Sequence, residues 1–177
     1  VVVDCNGSMR SRCKVWRLVL PLTILVFVVA VSTGCVAAKA ESRPRRMTVR
    51  TTAYTAGEPG GSFAANGSRL RFGGALNSAA ADWSWMPVGT RFRVVSSGRE
   101  YVVEDFGSAL VGKETIDLYF PTFASMHEWG TRFVEIDILE WGSYPVSKML
   151  LDRRLDVSYV RRMADGVNVK LAKGHQN

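Results

Sequence analysis

Cysteine is absent from most of this chain. Cys5, Cys13 and Cys35 all fall within the first 35 of 177 residues. A domain beginning after residue 40 therefore has no internal disulfide in any compartment and must stand on its core. Histidine is nearly absent too. His127 and His175 are isolated, and with no cysteine near them a zinc site is not expected. No internal repeat and no low-complexity tract interrupts the chain. Excess positive charge is also thinner than it looks. The whole chain carries +7, but after residue 40 there are 18 Lys and Arg against 15 Asp and Glu. No RNA- or DNA-binding signature accompanies that small surplus, so nucleic acid is not an expected partner. A mildly basic surface suits an anionic polymer.

Charge is missing altogether between Leu18 and Ala38. Arg10, Arg12, Lys14 and Arg17 precede an apolar run over residues 18–31, and Ala38-Lys39-Ala40 has the small-x-small form of a cleavage site. Residues 1–40 therefore read as an export leader, with Met9 as the expected start. Two alternatives stay open: lipidation at Cys35 after Ser32-Thr33-Gly34, and an uncleaved anchor. Each sends the domain out of the cytoplasm, to the periplasm or cell envelope, with outer-membrane association through the leader as a further expectation. Any membrane contact runs through that leader alone.

About 137 residues remain, enough for one domain with a normal core. Residues 41–46 read as a polar linker, 47–144 as the domain and 145–177 as a C-terminal helical tail. Strands are predicted over 47–54, 90–95, 99–105, 115–120 and 131–141, from β-branched content and alternation. Residues 57–74, rich in Gly, Ser and Asn, read as a long surface loop. Pro121 opens a predicted short helix ending near Trp129. A helix is expected over 146–163, with fraying from Gly166 onward. Many short strands and one small helix imply a mainly β, closed architecture.

Three aspartates lie in short apolar, glycine-rich stretches that read as strand ends and turns. Asp82 precedes Trp83-Ser84-Trp85-Met86-Pro87, and Asp105 ends a strand before Phe106-Gly107. Turn chemistry alone would account for both. Asp117 is harder to dismiss, because it sits between Ile116 and Leu118 in an apolar strand where Asp is a poor β-former. A carboxyl desolvated there, with another acid nearby, has its pKa raised toward neutrality and is suited to donate a proton.

The set Thr52-Ala53-Tyr54-Thr55, Ala81-Asp82 with Pro87-Val88-Gly89-Thr90, Glu104-Asp105-Phe106-Gly107 through Gly112, and Ile116-Asp117-Leu118-Tyr119 resembles the three-aspartate, or 3D, domain family. The C-terminal domain of membrane-bound lytic transglycosylase A has the same pattern. The resemblance spans about residues 47–142. It implies a six-stranded double-psi β-barrel and cleavage of peptidoglycan glycan strands, between MurNAc and GlcNAc, to 1,6-anhydro ends in cell-wall turnover. Two departures stand out: Trp83 replaces a common Pro, and the 57–74 loop is longer and more polar than usual.

By that resemblance Asp117 is the catalytic acid, with Asp105 and Asp82 as close partners. One carboxyl protonates the glycosidic oxygen, and the same group then takes the proton of the sugar's attacking 6-hydroxyl. No metal or organic cofactor is needed. Tyr54, Thr55, Trp83 and Tyr119 are candidate substrate contacts, set against the ordinary core role of aromatics in a small domain. A monomer acting on peptidoglycan strands is expected. The rival is a non-catalytic wall-binding module on the same fold, in which the acids only cap turns. A hydrolytic glycosidase would instead need two carboxylates roughly 5 to 9.5 Å apart and would release reducing ends.

Overall fold

The computed structural model describes residues 45–58 and 61–174. The expected leader with its three cysteines, most of the linker, and His175 lie outside the described residues. The six strands are β1 (Arg45–Tyr54), β2 (Asn77–Ala80), β3 (Arg91–Val94), β4 (Glu100–Asp105), β5 (Thr115–Tyr119) and β6 (Arg132–Glu140). They close into a barrel in the order β1-β5-β2-β4-β3-β6. β1 runs parallel to β5 and β2 parallel to β4, while the other neighbours are antiparallel. Closure leaves no free sheet edge.

Alternation decides what fills the barrel. Ile116 and Leu118 of β5, Val103 and Tyr101 of β4, Phe92 and Val94 of β3, and Ile136 and Ile138 of β6 all point into the core. Phe92 and Tyr101 stack there at 5.6 Å. β1 begins at Arg45, two residues before the predicted start. The reason lies across the sheet: Arg46 is in register with Asp137 and donates to both its oxygens, at 2.7 and 2.9 Å.

β2 was legible only as strand ends and turns. Its sequence, Asn-Ser-Ala-Ala, has low strand propensity, yet all four residues are buried between β4 and β5. Tertiary packing overrides propensity at such a central position. A bulge at its end has consequences for the site. Ala79 pairs with Val103 but Ala80 pairs with Asp105, so the register skips Glu104.

The short helix α1 (Phe123–Trp129) starts later than predicted. Thr122, not Pro121, marks its beginning, accepting from the Ser125 N–H at 3.1 Å. Beyond the barrel, one predicted helix is in fact two: α2 (Tyr144–Leu151) and α3 (Ser158–Ala172), joined through a 3-10 turn, Asp152–Arg154. No glycine or proline announces the break. It follows from the core: Leu151 and Val160 are both fully buried, and in one straight helix nine residues would set them about 180° apart.

The expected fraying from Gly166 is also corrected, because α3 continues to Ala172 and buries Val160, Met163, Ala164 and Val167. Gly166 lets α3 lie flat against the chain at Ser84, where an added Cβ would come within 2.5 Å of the serine Cβ. The Met163 sulfur accepts from the Trp83 N–H at 3.2 Å, and the Ser147 hydroxyl from the Val88 N–H at 3.0 Å. Residues 145–174 thus share the barrel's core rather than trailing from it. Among the described residues, no helix is long and apolar enough to cross a membrane.

Candidate active site in the barrel cleft

Strand register lays four residues in a row across the barrel. Thr52 of β1 is opposite Asp117 of β5, Asp117 is opposite Ala80 of β2, and Ala80 is opposite Asp105 of β4. Neighbouring strands lie about 4.8 Å apart, so the two aspartate backbones stand roughly 10 Å apart. Only the methyl group of Ala80 lies between them. The row opens into a cleft of about 730 Å³ lined by Tyr54, Thr55, Glu58, Ala80, Asp105 and Asp117, with Phe63 to Ala65 along one rim. The bulge matters here, because regular pairing would place Glu104 opposite Ala80. Glu104 is instead buried away from the cleft, accepting from Ser78 and Arg71 at 2.5 Å each.

Asp117 is raised to about 6, chiefly by burial. The Thr52 hydroxyl, donating to its Oδ1 at 2.6 Å, works against that rise, and the negative charges of Glu58 and Asp105 add to it. Asp105 is raised by burial as well, but the N–H groups of Phe106 and Ala65, each donating to Oδ1 at 2.9 Å, favour its ionised form. Burial raises both acids, and the backbone donors on Asp105 oppose that rise as the Thr52 hydroxyl does on Asp117. The buried Tyr54 hydroxyl faces this pair without a well-formed hydrogen bond. Burial and the Asp105 charge push its pKa upward, so it remains a protonated donor.

The 57–74 loop is tied down where it meets the acids. Ala65 N–H bonds Asp105, Asn66 N–H bonds the Glu104 carbonyl at 3.1 Å, and Arg71 reaches the Glu104 side chain. It carries Glu58, a cleft residue that the sequence reading passed over. Glu58 accepts from Thr55 N–H at 3.2 Å, a turn-like contact with no alternating or apolar context to draw attention to it.

The third aspartate is not part of the cleft lining. Asp82 is 2% exposed, with Oδ1 accepting from Ser84 N–H at 2.8 Å and Oδ2 from Gly112 N–H at 2.6 Å. Its expected place beside Asp117 is corrected: both oxygens are occupied by backbone donors. Asp82 reaches the cleft only through the loop it pins, whose residues Gly107 to Leu110 form part of the wall. Trp83 is likewise no sugar platform. It is fully buried, and its indole N–H donates to the Asp105 carbonyl at 3.0 Å, so it braces the acid from behind. Tyr119 is buried edge-on against Tyr54, with ring centroids 5.5 Å apart, and is not in the lining. Tyr54 and Thr55 do reach the cleft. Among the described residues, no group of three or more His, Cys, Asp or Glu is arranged to hold a metal.

Residues 77–140, from β2 to β6, match the model of the 3D domain. Over that segment the chain is similar to the 3D domain. Its closed six-stranded barrel fits the double-psi architecture of that domain, with β1 completing it from outside the matched segment. The chain is also 37% identical over 100 residues to the "Putative cell wall shaping protein YabE" of Bacillus subtilis (strain 168). That match covers 56% of this chain and 24% of the relative's length.

Proposed function

We propose that this protein acts on the bacterial cell wall as a peptidoglycan lytic transglycosylase, with Asp117 as its acid and base. The 3D domain and the cell-wall name of the relative support a wall-related role and an envelope location. The finer reading rests on one observation: Asp117, raised to about 6, faces an open cleft in line with Asp105, whose ionised form two backbone N–H donors favour.

Protonated Asp117 donates to the glycosidic oxygen as the C1–O bond breaks. Asp105, across Ala80, carries the charge that offsets the oxocarbenium-like centre. The sugar's own 6-hydroxyl then attacks C1, and Asp117, now a carboxylate held by Thr52, accepts the hydroxyl proton. Protons balance over the cycle, and no water is consumed. The Tyr54 hydroxyl is placed to donate to a substrate oxygen.

A wall-binding module on the same barrel is the rival. A cleft acid held near pH 6 is not something binding alone requires. The two readings separate when purified cell-wall sacculi are incubated with the full chain and with its Asp117→Asn variant. Soluble glycan released by the wild type alone supports the enzyme. Protein that sediments with the sacculi and releases nothing supports the module.

A further inference from the structure

The cleft has one cation and three acids. Glu58, Asp105 and Asp117 line it, and among the described residues Arg154 supplies the sole basic side chain in the lining. Arg154 comes from the turn between α2 and α3, beyond the end of the 3D match at residue 140. Tyr159 of α3 lines the same wall. The Arg154 guanidinium lies 5.9 Å from the centre of the Phe106 ring, and Tyr159 meets that ring edge-on at 6.3 Å.

Arg154 is exposed, and no ion pair to it is formed among the described residues. Its backbone, by contrast, is fixed. Val157 N–H bonds the Arg154 carbonyl at 3.1 Å, Arg161 donates twice to the Leu155 carbonyl, and Lys148 pairs with Asp152 at 2.6 Å. A long side chain on a rigid support, with its guanidinium over an aromatic ring and no ion pair of its own among the described residues, has N–H donors for a planar anion. An anionic substrate would otherwise be repelled by the three acids.

We propose that Arg154, backed by Phe106 and Tyr159, is a substrate-selecting residue. It recognises a carboxylate carried by the glycan and so favours acidic wall glycan over neutral amino-sugar polymers. This rests on the wall-glycan reading above but not on the chemistry of cleavage. The carboxylate could belong to the sugar's lactyl ether or to an attached peptide, and both present the same planar anion.

The test is calorimetric binding to the full-length Asp117→Asn chain, which holds ligands without turning them over. Four soluble ligands of equal length serve: peptide-bearing glycan, glycan stripped of peptide, the peptide-bearing form with its carboxyls capped as methylamides, and a neutral chitin oligomer. At least one carboxylate form should bind about tenfold more tightly than the capped and neutral ones. Whichever form does so identifies the source. Adding Arg154→Ala should erase that preference while leaving weak binding of the capped ligand and the melting temperature unchanged, and Arg154→Lys should restore part of it. Binding of both carboxylate forms no tighter than that of the capped and neutral ligands, a preference that survives Arg154→Ala, or no binding at all overturns the proposal. Because no cleavage is read, the result stands apart from whether the products are anhydro or reducing ends.

Discussion

Asp105 and Asp117 stand two strands apart, with the methyl group of Ala80 as the only side chain in the row between them. That small residue sets the width of the floor on which a sugar would rest. Replacing it with leucine puts three further carbons into the gap. Ala80→Leu should reduce glycan release at least a hundredfold while Asp117 still titrates. Because Ala80 is 4% exposed, its melting temperature must be compared with that of Ala79→Leu, where the side chain points into the core and only stability should suffer.

The pH profile follows from the neighbours of Asp117. Its acid form is needed first, so activity should fall as pH rises above about 6. Thr52 donates to the ionised carboxylate, and Thr52→Val should move that fall to higher pH. Glu58 contributes negative charge, and Glu58→Gln should move it to lower pH. Rates of glycan release between pH 4.5 and 8.5 check both. Shifts in the same direction would count against the assignment of Asp117.

The same titration is linked to stability. The folded-state pKa of Asp117 lies above the ordinary value of 3.8, so the native state binds more protons than the unfolded state between about pH 4 and 6. This contribution is fully present below pH 4 and is lost as pH rises through that window. Asp117→Asn should therefore melt higher than wild type at pH 7.5, by a free energy on the order of 2 kcal/mol, with little difference at pH 3.5. Thermal melts at the two pH values decide it.

The helices after the barrel are expected to be required for folding. Removing residues 145–177 would strip Trp83 and Met86 of Leu151, Met163 and Val167, with which they share one core. The truncated chain should lose its cooperative melt. Met163→Ala, which also removes the acceptor of the Trp83 N–H, should cost about 2–5 kcal/mol in denaturant titrations. Full stability in the truncated chain would contradict the placement of these helices.

Much of the barrel could be read from the chain. Alternation marked β1, β3, β4, β5 and β6, and the mismatch of an aspartate between Ile116 and Leu118 marked the residue that faces the cleft. β2 escaped because its alanines owe their conformation to burial between two neighbours and not to propensity. Asp82 and Trp83 were misplaced for a related reason. A carboxylate that feeds backbone donors, and an indole that braces a strand end, look the same in sequence as groups that meet a ligand. Glu58 and Arg154 left no signal, since each reaches the cleft only through the folding of a loop or a helix break. The choice between Glu104 and Asp105 is made by a bulge, which adjacent acids in a sequence do not disclose.

The central claim is that Asp117 drives an internal displacement in which the sugar's own hydroxyl, not water, closes the reaction. Mass spectrometry of peptidoglycan digested by the full chain in water enriched in oxygen-18 tests it directly. The account predicts 1,6-anhydro ends free of the heavy isotope, formed by the wild type and absent with Asp117→Asn. Reducing ends carrying one oxygen-18, or anhydro ends that persist in the variant, would contradict it.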